Sequence, residues 1–240
     1  MTDSFVPTLL DRATHAYRRA GRFAYHFARG KLGGDPIFRH LLQHGLLPSD
    51  ARVLDLGCGQ AVFASWLLAA RKLYDAGHWP HDWAVPPRIA HLRGVELMPL
   101  DVARAHRALG DDHPQVEIVR GDIREVDFGQ VDAVTILDVL HYLGYDEQED
   151  VLRRVRDALP RGGRLITRVG DADGGWRFRV GNAVDLCVTF VRGHRLPTMY
   201  CRPLRDWTAL LERLGFSVRA VPMSHGKPFA NVMLVAQLPA

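Results

Sequence analysis

Apolar positions along the chain fall into two alternating rhythms. Continuous runs of aliphatic and β-branched residues ending at glycine or an acid read as strands buried on both faces, and runs with apolar residues every three to four positions read as helices. The first pair is "ARVLDLG" (51–57), which predicts a strand, followed by "VFASWLLAARKL", where Phe63, Trp66, Leu67 and Ala70 mark one helical face. Four further strands are predicted over 91–97, 116–123, 131–140 and 163–170. Between them, "MPLDVARAHRALG" stops at Gly110. "YDEQEDVLRRVRDAL" places Asp146, Glu147, Glu149 and Asp150 ahead of Arg153, Arg154 and Arg156, the order that the helix dipole favours. Strand alternating with helix predicts a parallel sheet with helices on both faces. The last part differs: an amphipathic helix in "RPLRDWTALLERLG" precedes "FSVRAVPM" and "NVMLVAQL", two strands joined by so short a loop that they must run antiparallel.

Composition changes this picture little. The 240 residues, 47% hydrophobic and 24% charged, suffice for one large core, and no stretch reads as a linker or a low-complexity tract. No apolar run approaches the roughly 18 residues of a membrane span, and the first 20 residues lack a signal-peptide layout, so a cytoplasmic location is expected. Cys58, Cys187 and Cys201 show no metal-type spacing and leave one thiol over in any disulfide scheme. His78 and His81, with His91 nearby, sit among Trp79, Pro80 and Trp83 and read as capping a surface loop, so no metal site is expected. Charge is uneven. Residues 11–40 carry seven Arg/Lys against two acids, 41–160 carry twelve against nineteen, and 161–219 carry eleven against five. The two basic segments suit an anionic acceptor or an acidic partner protein, and are too dispersed to argue for nucleic acid.

The chain resembles the class I S-adenosylmethionine-dependent methyltransferases over most of residues 45–238. The resemblance rests on "VLDLGCGQA", Glu96 in "RGVEL", Asp122 in "RGDI", "VDAVTILDVLHYL", "LPRGGRLI", and the final helix and hairpin, in that order. It implies a Rossmann-like seven-stranded sheet of order 3-2-1-4-5-7-6 with strand 7 antiparallel, helices on both faces, and S-adenosylmethionine across the carboxyl ends of strands one to four. An N-terminal helical arm or lid is expected over 1–45 and a methyltransferase domain over 46–240, with inserts at 74–90 and 171–201. A nicotinamide-binding unit fits less well, because the turn reads G-x-G-x-A and the strand-two acid stands 39 positions after Gly57.

The chemistry at the matching positions suits that cofactor. Gly57 and Gly59 let backbone approach the methionine portion, while Asp55 shapes the turn or receives the ammonium. Glu96 offers two oxygens to the ribose diol and Leu97 follows it. Asp122 accepts from the adenine amino group, Ile123 packs the ring face, and Asp138 lies near the amino-acid end. Ala61 replaces a glycine that the family often has. Because methyl transfer needs alignment and, for a poor nucleophile, proton removal, His141 in "LDVLHYL" is the candidate base, its ordinary pKa near 6.5 fitting neutral pH; His26 is a second candidate.

"DVLH" replaces the [DN]-P-P-[YF] that exocyclic-amine methylases usually carry after strand four, so the expected acceptor is small: an aromatic, polyketide-like or acyl metabolite methylated at oxygen or carbon, anionic or on an acidic carrier protein. The basic arm and the insert after strand five supply its expected contacts: Tyr17, Tyr25, His26, Tyr142, Trp176, Arg177, Arg179 and Tyr200, with the arm deletable without loss of the fold. An RNA methyltransferase, supported by the pI of about 9.2, and a non-catalytic S-adenosylmethionine-binding partner subunit remain as alternatives.

Overall fold

Four helical segments come first: α1 (Thr2–His15), a 3₁₀ turn (Ala16–Ala20), α2 (Arg22–Gly34) and α3 (Pro36–Gln43). Asp35 caps α3, accepting from Ile37 N at 3.2 Å ahead of Pro36, whose missing N–H costs nothing there. The alternating part follows as β1 (Ala51–Leu56), α4 (Val62–Asp75), β2 (Ile89–Glu96), α5 (Pro99–Leu109) and β3 (Val116–Arg120). β1 pairs with β2 and β2 with β3, both parallel. Gly94 in β2 is required by packing: a Cβ there would lie 2.7 Å from Cys58 Sγ. The computed structural model describes residues 2–173, 199–223 and 231–240.

The helices ahead of β1 are not a detachable arm. Leu9, Tyr17 and Ile37 are fully buried, Ser65 Oγ of α4 donates to Ala13 O at 2.6 Å, and Trp66 Nε1 donates to Phe38 O at 2.9 Å. Deleting residues 1–35 would remove Leu9, Ala13 and Tyr17 and uncover the face of α4 that α1 covers, so the expectation of a dispensable arm is corrected. The aromatic insert packs in the same way. Phe5 meets Trp79 and Trp83 edge-on at 5.2 and 5.3 Å, while His78 and His81 stay exposed.

The remaining elements are β4 (Ala133–Leu137), α6 (Tyr145–Ala158), β5 (Arg164–Gly170), α7 (Leu204–Arg213), β6 (Ser217–Pro222) and β7 (Asn231–Gln237). Glu147 starts α6 by accepting Gly144 N at 2.8 Å. β7 runs antiparallel to both β5 and β6. Its continuous burial from Val232 to Ala236 matches a central strand, and β6, in which no residue is fully buried, matches an edge. Two predicted strands end early. β4 stops before Asp138, which takes a left-handed φ of 61°, and β3 stops where Asp122 starts a turn by accepting Arg124 N at 2.9 Å.

The chain divides into two compact units, Met1–Asp127 with Val131–Ala133 and Phe128–Gln130 with Val134–Ala240. The strands form one seven-stranded sheet in the order β3-β2-β1-β4-β5-β7-β6, as the resemblance implied. Among the described residues no helix is long and apolar enough to cross a membrane.

Candidate functional site

In the first unit the chain leaves β1 through alternating left-handed residues: Gly57 (φ 76°), Gly59 (φ 57°) and Ala61 (φ 57°). Such angles cost an L-residue about 1–2 kcal/mol and a glycine almost nothing, which accounts for the two glycines and makes Ala61 the exception. Gly57 N and Cys58 N both donate to Val95 O, at 2.8 and 3.1 Å, fastening the turn to β2. Glu96, at the end of β2, completes the frame. Its Oε2 accepts Gly59 N and its Oε1 accepts Met98 N, each at 2.8 Å. One carboxylate therefore joins the glycine turn to the start of α5, and each oxygen keeps acceptor capacity.

A buried polar chain supports this turn from behind. The Tyr17 hydroxyl donates to Gln60 O at 2.8 Å, Gln60 Nε2 donates to Asp101 Oδ1 at 3.1 Å, and Arg104 Nη1 reaches the same oxygen at 3.0 Å. Burial pushes the Tyr17 hydroxyl well above its ordinary range, so it remains a neutral donor. Burial, with the nearby Asp55 and Glu96 carboxylates, likewise pushes the Cys58 thiol up, leaving it protonated and unreactive. Asp55 is itself buried.

Leu97 lies 49% exposed just beyond Glu96, an apolar face open to a ring. Ile123 is buried in the turn that follows β3. Asp122 beside it is gripped by Arg124, whose Nε lies 2.9 and 3.0 Å from its two oxygens. That hydrogen bonding holds its carboxyl below the usual range. Arg124 thus engages both oxygens of Asp122.

In the second unit Asp138 follows β4 with its left-handed φ and receives Arg168 Nε at 2.6 Å. Arg168 lies inside β5, nearly fully buried, and a guanidinium there requires such a carboxylate partner. His141 sits in a 3₁₀ turn (Leu140–Tyr142), buried, with the Tyr142 ring 4.1 Å from its own. Its Nε2 has no hydrogen-bond partner among the described residues. Burial, opposed by Asp138 and reinforced by Arg168, lowers its pKa from 6.5 to about 4. This corrects the expectation of an imidazole titrating near neutrality: His141 is neutral at pH 7 because charging it underground is costly.

The expected acceptor contacts separate into groups. Tyr17 is fully buried with its hydroxyl engaged, so it braces the glycine turn and is not an exposed pocket wall. Tyr25 lies between Arg18 and Arg29, with guanidinium carbons 5.2 and 5.8 Å from its ring, and His26 is exposed. Tyr200 is exposed and meets Tyr145 edge-on at 5.4 Å, and its N donates to His141 O at 2.8 Å. Trp176, Arg177 and Arg179 lie outside the described residues. Sequence reasoning passed over Gln60, Asp101, Gln148 and Arg168. The readable signal was a charged residue inside an apolar strand run, as in "LITRVG".

Residues 54–165 match the methyltransferase domain family. A 118-residue stretch is 36% identical to the carboxy-S-adenosyl-L-methionine synthase of Chromohalobacter salexigens, covering 48% of this chain and 38% of that protein. Among solved structures, an O-methyltransferase family protein from Burkholderia thailandensis superposes with a TM-score of 0.64 at 16% identity, over 93% of this chain and 62% of that one. The magnesium protoporphyrin IX methyltransferase of Synechocystis PCC 6803, solved with bound S-adenosylhomocysteine, gives 0.57 at 20% identity and 93% coverage of both chains. The family match spans the glycine turn, Glu96, Asp122 and β4, and the strand order agrees with the resemblance, so residues 54–165 are similar to a methyltransferase domain.

Proposed function

We propose that the chain binds S-adenosylmethionine at the carboxyl ends of β1 to β3 and methylates oxygen or carbon of a small-molecule acceptor, leaving S-adenosylhomocysteine. The observation that carries this reading is the carboxylate of Glu96, tied by its two oxygens to Gly59 N and Met98 N. It is fixed in place yet able to accept two more hydrogen bonds, the donor pattern of a ribose diol. Gly57 and Gly59 present backbone without a Cβ to the methionine portion. Leu97 and Ile123 would offer apolar surface to the adenine, and Asp122 would accept from its amino group. The bound sulfonium supplies an electrophilic methyl group. The chain aligns the acceptor and moves a proton. His141, neutral and with Nε2 unpartnered among the described residues, takes the proton of an acceptor hydroxyl or acidic carbon; Asp138 sits close enough to favour the resulting imidazolium. Tyr142 and Tyr200 offer it aromatic surface, and the basic segments suit an anionic or carrier-bound acceptor. Tyr25 and His26, with Trp176, Arg177 and Arg179, belong to the same reading.

Calorimetric titration with S-adenosylmethionine tests the cofactor half. Binding is expected in the wild type and lost in Gly57→Val, and unchanged affinity in the variant overturns the reading. Tritiated methyl incorporation, compared between small phenolic or acyl acceptors and total RNA, then separates the acceptor classes.

The identity to a carboxy-S-adenosyl-L-methionine synthase supports a second reading, in which the chain modifies S-adenosylmethionine itself. Mass analysis of the nucleoside product distinguishes the two, since methyl transfer leaves S-adenosylhomocysteine and this alternative leaves a carboxylated sulfonium.

A further inference from the structure

α6 turns a face of Val151, Leu152 and Val155 into the core, and Gln148 belongs to that face, fully buried. A glutamine there is unfavourable unless every polar atom is matched. It is matched, and to an unusual set of partners. Its Nε2 lies 3.1 Å from Leu140 O, 3.1 Å from Leu143 O and 2.8 Å from Tyr200 O. Its Oε1 accepts Arg202 Nε at 2.8 Å. Three carbonyls on one side and a guanidinium on the other permit only one orientation of the amide.

Those carbonyls bracket the turn that carries His141. Leu140 and Leu143 flank it, and Tyr200, also bound to Gln148, donates its own N–H to His141 O. Arg202 holds the other side of the hub: its Nη2 donates to Tyr145 O at 3.0 Å, and its guanidinium lies 4.7 Å from the Tyr145 ring and 5.7 Å from that of Trp207. Helix, turn and the segment around Tyr200 thus meet at one buried amide.

We propose that Gln148, oriented by Arg202, is the positioning residue that fixes the His141 turn and so decides where the unpartnered imidazole nitrogen points. The inference rests on the reading of His141 as proton acceptor, because only then does its placement govern turnover. A displacement of about 1 Å at a proton-transfer site costs about 10²-fold in rate.

The test uses the full chain with Gln148→Met, which keeps the length of the side chain and removes its hydrogen bonds, and Arg202→Lys, a change at the rim of the hub. Two quantities are measured: titration of the His141 ring by NMR in histidine-labelled protein, and kcat and KM with S-adenosylmethionine. The charged groups acting on that ring are Asp138 after β4 and Arg168 on β5, and both variants leave them in place. For Gln148→Met the expected result is a His141 pKa moved up toward 6.5, kcat lowered about 10- to 100-fold, and KM for S-adenosylmethionine within about 2-fold of wild type. Arg202→Lys is expected to shift both in the same direction by less. A folded Gln148→Met with unchanged His141 titration and kcat overturns the proposal, leaving Gln148 a stability residue only. If Gln148→Met does not fold, unchanged values in Arg202→Lys overturn it instead. Should the wild type transfer no methyl group, the function reading fails, while the NMR titration still decides whether Gln148 positions His141.

Discussion

Replacing Glu96 by glutamine tests the frame of the cofactor site with an almost isosteric change. The native carboxylate accepts one backbone N–H on each oxygen, from Gly59 and Met98 at 2.8 Å. An amide has one oxygen, so its NH₂ group must face one of those two N–H donors. One charge-assisted bond, of about 1.5–3 kcal/mol, is lost, and a half-buried donor is left opposite another donor. Taking about 2 kcal/mol as the net loss, and about 2–4 °C per kcal/mol for a chain of this size, Tm should fall by about 4–8 °C. The effect on cofactor is separate. A ribose diol that meets one acceptor in place of two should bind about 1–3 kcal/mol more weakly, roughly 5- to 150-fold in Kd. Differential scanning calorimetry reads the first quantity and titration calorimetry with S-adenosylmethionine the second. Glu96→Gln with wild-type Tm and Kd would refute the reasoning, since it would mean that neither the turn nor the ligand depends on both oxygens.

Two other outcomes follow from the same structure. His141 has its folded-state pKa lowered from 6.5 to about 4, so the unfolded chain takes the proton first: the contribution is complete above pH 6.5 and fades as pH falls to about 4, at about 1.4 kcal/mol per pH unit or about 3 kcal/mol in all. Urea unfolding at pH 7 and pH 4.5 should show that loss in the wild type and less of it in His141→Gln. At Ala61 a glycine removes a left-handed strain of about 1–2 kcal/mol and a buried methyl worth about 0.8 kcal/mol, so Ala61→Gly should stay within about 1 kcal/mol of wild type. Ala64→Gly, buried within α4, should lose about 2 kcal/mol by the same unfolding assay.

The strands were legible because each is a short apolar run closed by a glycine or an acid, and the order of the sheet followed from the motifs of the family. Strand ends were less so, since Asp138 and Asp122 stop β4 and β3 by local geometry that composition does not carry. Glu96 was readable as a conspicuous acid after an apolar strand, but its two amide partners were not, because they depend on how β2 meets a turn 37 residues earlier. Tyr17 reads as one aromatic among several at helical spacing; only packing shows that its hydroxyl ends on Gln60. The Asp138–Arg168 pair spans 30 residues, and nothing local marks either as the partner of the other. The pKa of His141 was misjudged because burial, its largest cause, is a tertiary property.

The place of β7 between β5 and β6 has a consequence for synthesis of the chain. β5 ends at Gly170, yet the strand that covers its open side begins only at Asn231. During translation β5 therefore waits, with one row of N–H and C=O groups unsatisfied, and β6 emerges before β7, the neighbour it pairs with among the described strands. Exposed apolar edges of this kind recruit other chains. A ribosome stalled before residue 231 would present an unfinished sheet, and chaperone demand should concentrate in that interval. In the first unit, by contrast, β1 to β3 and the helices between them are complete by Asp127.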